Sequence, residues 1–407
     1  MTLFTGTVLA QAIPFLAAPL IARLYDAPQF ALYGAMLAVF NVLAVIAAGR
    51  YEMAIAVPRE ERTAADLVKG AVLIAVAVGA IGYGMLRSMH GAIERATGLP
   101  GLDPVIGMVA LLTVLAGTQM AMQQWLLRDR AFKQIASAKV LQAVATTVLV
   151  LMAGWWGMRD GLPMAYVAGW TLFAAATVWF ATRRRVLASG ISLAGIGTAL
   201  RDHHRYPMYG AVPAVINALA SGAAVIYMTL FFNTEIAGQH NFTRQYLLVP
   251  LGMFTVALGQ ALYERVASRV RENATVWDEL MVLIRRLVIV ALGLVLVVML
   301  LGPMLFTIVF GEQWSYAGDA ARVLVWGYAA QLVSSPLTIL LFAMGRVRSA
   351  VIFPVVYALL MIIPLFLPHL LPMSFMALLS GIEVVAYGLN VVVVLHHVRS
   401  YERSRTT

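Results

Sequence analysis

The chain has 407 residues, 61% of them hydrophobic and 12% charged, with a formal net charge of +10 and no cysteine. Soluble domains carry about a quarter charged residues, so the composition excludes an ordinary soluble protein and points to a polytopic membrane protein. The lack of cysteine excludes disulfides and thiolate metal sites. The basic residues sit in short connectors between apolar runs, which reads as membrane topology and argues against a nucleic-acid partner.

A membrane-spanning helix needs about twenty apolar residues to cross about 30 Å of hydrocarbon. Twelve runs meet that length: 2–22, 30–48, 68–87, 103–125, 138–156, 163–181, 207–231, 241–262, 286–310, 318–342, 349–368 and 374–396. They are continuously apolar and do not alternate, so they read as helices and not as barrel strands. The first, within "MTLFTGTVLAQAIPFLAAPLIA", lacks the basic n-region of a signal peptide and is taken as a span. It carries Gln11, Pro14 and Pro19, as the seventh carries Asn217 and Pro213. The polar pair reads as helix–helix hydrogen bonds, and the prolines as bends, static or useful for alternating access.

Counting residues at the very ends of spans with the adjoining connector, 23 of the 29 Lys and Arg fall after even spans or in the tail, 4 after odd spans, and Arg244 and Arg322 well inside spans. This bias predicts that both termini are cytoplasmic. The connector at 182–206 separates six spans from six, giving expected halves 1–200 and 201–407. Tyr51-Glu52 in "GRYEMAIAVPRE" recurs as Tyr263-Glu264 in "LYERVASRVRE", each after the second span of its half. The recurrence is consistent with a parallel repeat, that is, two six-helix bundles around a central cavity. Arg50, Tyr51, Glu52, Tyr263 and Glu264 then read either as interfacial anchors or as residues of an inner gate.

Ionisable residues inside spans are candidate functional groups because their insertion costs about 2.5–3.5 kcal/mol. Arg244 in "NFTRQYLLVP" and Arg322 in "GDAARVLVWGY" either snorkel or attract an anionic substrate. Glu383, mid-span in "LLSGIEVVAYG", is a structural partner for a neighbouring helix or a proton or cation coupling site. Arg23, against the charge bias at the end of span one, is an interfacial anchor or part of a cavity mouth. There is no HExxH, Walker A or dinucleotide fingerprint, and His203-His204 and His396-His397 read as solvated basic residues. No cofactor, metal site or catalytic constellation is predicted, and the chain reads as a transporter and not an enzyme.

The stretch "LIARLYDAPQFALYGAMLAVFNVLAVIAAGRYEMAIAVPREERTAADLV" resembles the first hairpin of Wzx-like polysaccharide-biosynthesis flippases, within the multidrug/oligosaccharidyl-lipid/polysaccharide exporter superfamily. The matching residues are Arg23-Leu24-Tyr25, Pro28–Phe30 and Arg50–Pro58, and "FGEQWSYAGDAARVLVWGYAAQLVSSPLTILLFAMGR" extends the likeness into the second half. Ala31 replaces a usual glycine, which is expected to loosen a tight turn. The resemblance implies a flippase in the bacterial inner membrane. Its substrate would be an undecaprenyl-diphosphate-linked oligosaccharide repeat unit, as used for O-antigen or exopolysaccharide. Coupling to protons or sodium, contact with membrane lipids and contact with the polysaccharide polymerase machinery follow from the same likeness. Arginine suits such a substrate because it binds phosphate bidentately. A multidrug exporter would want more cavity carboxylates than one glutamate, and a polymerase or ligase a larger outer loop than residues 88–102 supply.

Overall fold

The computed structural model describes residues 2–99, 102–186, 190, 192–272, 274–344 and 346–406. Among these residues the secondary structure is helical throughout, with no strand. The helices are α1 (Thr2–Leu24), α2 (Ala27–Ile46), α3 (Glu61–Ser88), α4 (His90–Thr97), α5 (Leu102–Arg128), α6 (Phe132–Trp155), α7 (Gly161–Arg183), α8 (Leu193–Asp202), α9 (Arg205–Phe231), α10 (Thr234–Thr243), α11 (Val249–Arg271), α12 (Trp277–Phe310), α13 (Ser315–Ala343), α14 (Val347–Ala350), α15 (Ile352–Leu360) and α16 (Pro372–Thr406). Two compact units result, Met1–Gly238 and Gln239–Thr407. The sequence division at 200/201 would place α9 in the second half, but α9 packs along α2 and belongs to the first unit.

Ten of these helical stretches are long and apolar enough to cross a membrane. The other two expected spans, 241–262 and 349–368, are not continuous α-helix. The first stays helical but passes through a π-helical turn at Arg244–Leu248 between α10 and α11. The second is cut into α15 and a 3₁₀ turn at Ile363–Phe366, where Pro364 and Pro368 withhold backbone donors. Prolines 14, 19 and 213 do not end their helices: α1 and α9 run through them.

In the first unit the "RLYDAPQF" stretch is a corner. Asp26 caps α2 by accepting from the Gln29 N–H at 3.0 Å, and Gln29 returns the bond to the Asp26 N–H at 2.8 Å, a capping box that satisfies two orphan donors. The Tyr25 hydroxyl donates to the Val150 carbonyl at 2.7 Å. A Cβ at Gly154 would lie 2.9 Å from the Tyr25 ring, so the ring fits because α6 carries glycine there. Ala31 is buried inside α2, so no tight turn exists at that position for a glycine to serve.

In the second unit α12 shows how the bilayer sorts its faces. Leu287, Ala291, Val295, Val298 and Gly302 are buried, while Ile289, Leu292, Leu296 and Leu300 are exposed. Both sets are apolar and recur every three or four residues, as expected of a helix with protein on one side and lipid on the other. The 34 residues of α12 span about 51 Å at 1.5 Å per residue, more than the hydrocarbon requires, and its first ten residues carry the charges.

Candidate functional site

The polar seam of the second unit runs between α13 and α16. On α16, Ser380, Glu383, Tyr387 and Asn390 follow one another at spacings of three, four and three, so they share a face. Ser380 Oγ accepts from the Gly327 N–H at 3.0 Å. Asn390 Nδ2 donates to Ser334 Oγ and to Thr338 Oγ1, each at 2.8 Å. Between these two ties lies Glu383, buried at 9% exposure.

Glu383 fits against α13 because residue 327 is glycine: a Cβ there would meet the carboxylate and lie 2.9 Å from Glu383 Cβ. The Tyr357 hydroxyl donates to Glu383 Oε1 at 3.4 Å, while Oε2 has no hydrogen-bond partner among the described residues. Tyr357 and Tyr387 stack with Phe353, with centroids 5.7 and 5.0 Å apart. The Arg244 guanidinium is close enough to act electrostatically on Glu383, Tyr328, Tyr357 and Tyr387. It stands on the π-helical turn, a local form often found at functional sites. That turn is held from its N-terminal side. Gln239 Nε2 donates to the Gln313 carbonyl at 2.7 Å, Thr243 Oγ1 donates to the Ala317 carbonyl at 2.8 Å, and Phe242 stacks on the buried Trp314 at 3.6 Å. The "GEQW" stretch is therefore the anchor that positions Arg244.

Arg322 is placed differently. Its Nε donates to the Met299 carbonyl of α12 at 2.9 Å and its guanidinium lies 3.4 Å from Asp319, with the side chain 40% exposed. It ties α13 to α12 and already has a carboxylate. Arg23, in the first unit, is exposed in the last turn of α1. Gln11 and Asn217 are exposed as well, and among the described residues neither makes the helix–helix hydrogen bond that the sequence suggested.

The "GRYEMAIAVPRE" stretch forms a compact turn. Gly49 and Arg50 both take left-handed backbone conformations, at φ 61° and 62°, which is unfavourable for a residue with a Cβ. Residues Tyr51–Ala54 follow as a 3₁₀ turn. Arg50 lies 3.6 Å from Glu52, which is buried. Burial pushes the Glu52 carboxyl above its usual range, against its own backbone hydrogen bond and the Arg50 charge. Arg128 holds the next carbonyls, donating to Pro58 at 2.5 Å and to Arg59 at 3.1 Å. Tyr51 packs on the buried cluster that contains Ile55, Leu67 and Trp125. The side chains of Tyr263 and Glu264 lie outside the described residues.

Residues 20–318 match the family described as polysaccharide biosynthesis protein, and the chain belongs to that family. No curated protein matches it in sequence. Among solved structures it is similar to a multidrug resistance MATE family transporter of the MOP superfamily in an inward-facing conformation. That pair shares 14% identity and a TM-score of 0.68 over 98% of this chain and 99% of the other. It is also similar to the lipid II flippase MurJ in an inward closed conformation, at 11% identity and TM-score 0.75 over 98% of this chain and 88% of the other. A third likeness is a MOP superfamily transporter from Pyrococcus furiosus, at 12% identity and TM-score 0.61 over 98% and 95%. The fold is thus the all-helical, multi-pass fold of MOP superfamily transporters and flippases.

Proposed function

We propose that this chain is a flippase that carries undecaprenyl-diphosphate-linked oligosaccharide repeat units from the cytoplasmic to the outer leaflet of a bacterial inner membrane. It works by alternating access, with both termini cytoplasmic, and hands its cargo to polymerase machinery. The observation that supports this reading is, within a chain of the polysaccharide biosynthesis family, a carboxylate buried mid-helix in an aromatic shell, with the Arg244 guanidinium acting on it electrostatically from a π-helical turn. Arg244 is the anion-attracting group, because a guanidinium holds a diphosphate bidentately, with Arg322 and Arg23 as further substrate contacts. Glu383 is the coupling group, exchanging a proton or sodium ion against the attraction of Arg244. Arg50, Tyr51 and Glu52, with Tyr263 and Glu264 as their counterparts, serve an inner gate.

The test uses a cell in which this protein is the sole flippase. Arg244→Ala lowers surface polysaccharide and leaves lipid-linked intermediates on the inner leaflet, at unchanged protein level. Arg322→Ala has a smaller effect, since that residue already holds Asp319. In proteoliposomes Glu383→Gln removes the dependence of transport on an ion gradient. Full export by Arg244→Ala, or an unchanged gradient response in Glu383→Gln, sinks the respective assignment. Transport of a fluorescent organic cation, abolished by Glu383→Gln while polysaccharide export persists, would instead support the multidrug reading.

A further inference from the structure

The groove between α11 and α12 lies outside the Glu383 cluster. Among the described residues α11 and α12 each pack on α13 and barely touch one another. The cleft between them has a volume of about 350 Å³ and is floored by Leu340 of α13. Each wall is one helical face. Leu262, Arg265, Val266 and Arg269 line it from α11, and Glu279, Val282, Leu283 and Arg286 from α12, both sets at the three-to-four-residue spacing of neighbours on a helix. Asp278 also reaches the cleft.

The charges in the cleft do not cancel. Arg269 is bonded to Glu279, and Asp278 belongs to the first turn of α12, where an acid offsets the helix dipole. Arg265 and Arg286 have no ionic partner among the described residues and are exposed on opposite walls. Arg286 immediately precedes the uncharged run 287–310, so it stands at the level where hydrocarbon meets headgroups. Beside the two arginines the walls are Leu262, Val266, Val282 and Leu283, which offer a surface for a hydrocarbon chain. Cationic heads above an apolar floor, at the membrane boundary, match the two ends of one kind of molecule.

We infer that this groove binds an anionic phospholipid of the bilayer, its phosphate held between Arg265 and Arg286 and its acyl chain lying on Leu262, Val266 and Leu283. The headgroup must lack a cation of its own, because a choline or ethanolamine nitrogen would be placed against arginine. The site holds a resident lipid and is independent of the transported substrate.

The experiment is native mass spectrometry of the full-length protein, titrated with phosphatidylglycerol or phosphatidylcholine of the same chain length. The wild type is expected to retain phosphatidylglycerol at least fivefold more strongly. Arg286→Ala is expected to weaken that preference and Arg265→Ala/Arg286→Ala to abolish it, while Arg285→Ala, which removes the same single charge as Arg286→Ala but from outside the groove, keeps it. Equal retention of the two lipids by the wild type overturns the site and needs no variant to fold. Equal loss in Arg285→Ala and in Arg286→Ala also overturns it, since the effect would then be general surface charge.

Discussion

Glu52 and Glu383 are both buried carboxylates, and they are buried for different ends. Glu52 sits in a connector, 3.6 Å from an arginine two residues away, inside a turn whose carbonyls are held by Arg128. Its nearest charge is local, although Glu52 Oε2, like Glu383 Oε2, has no hydrogen-bond partner among the described residues. Glu383 sits mid-helix, with one oxygen touched by a tyrosine and the other unbonded among the described residues, and the charge that acts on it, from Arg244, stands on another helical segment and forms no ion pair with it. Under the proposed function, Glu383, set between helices, is the carboxylate whose environment changes when those helices or a ligand between them move, whereas Glu52 stays within its own turn.

Several substitutions would break or sharpen that contrast. Gly327→Ala should act most strongly, because its Cβ would displace Glu383 from the α13 surface; overpacking of this kind costs about 1–3 kcal/mol. The check is a lower unfolding temperature in detergent together with lost transport. If Gly327→Ala is as stable and active as wild type, the seam is looser than its contacts imply. Arg128→Ala should cost about 1–3 kcal/mol by leaving carbonyls of the 50s turn without their charged donor, and it should leave the ion dependence of transport unchanged. Asn390→Ala removes two interhelical bonds; such bonds average about 0.6 kcal/mol in membrane proteins, so a loss of about 1 kcal/mol is expected from denaturation in mixed micelles.

Glu52→Gln should have the smallest effect. A carboxyl whose folded-state value is raised binds more protons folded than unfolded, so stability falls as pH rises through the carboxylate range. The neutral amide removes that term. At neutral pH the variant should therefore be at least as stable as wild type, and its melting temperature should vary less with pH. A large loss would mean that the Arg50–Glu52 pair contributes more than burial costs.

The α16 site was partly legible in the sequence. Glu383 stood out because charge is rare inside a span. Ser380, Tyr387 and Asn390 lie on its face at helical spacing, and that periodicity could have been read beforehand. Tyr357 and Phe353 carried no such signal, since an aromatic residue in an apolar run is ordinary. The turn at Arg244–Leu248 was also invisible, because a π-helical turn adds one residue to a helix without changing its composition. Arg322 looked equivalent to Arg244 in depth and context, yet Arg244 stands on a π-helical turn and acts on Glu383 only electrostatically, while Arg322 bonds a backbone carbonyl of α12 and lies beside Asp319.

The sequence by itself determined that the chain crosses a membrane, roughly where each helix runs, and which residues would be costly to bury, because lipid imposes length and apolarity on every span. It also carried the corner at Asp26–Gln29, whose capping chemistry is local. The partners of the buried charges were decided only by tertiary structure. Tyr357 finds Glu383, and Arg128 finds the 50s carbonyls, through packing between segments 26 and about 70 residues apart. No one-dimensional spacing encodes such contacts: they depend on which helix faces meet, and glycines such as Gly327 set how closely they can approach.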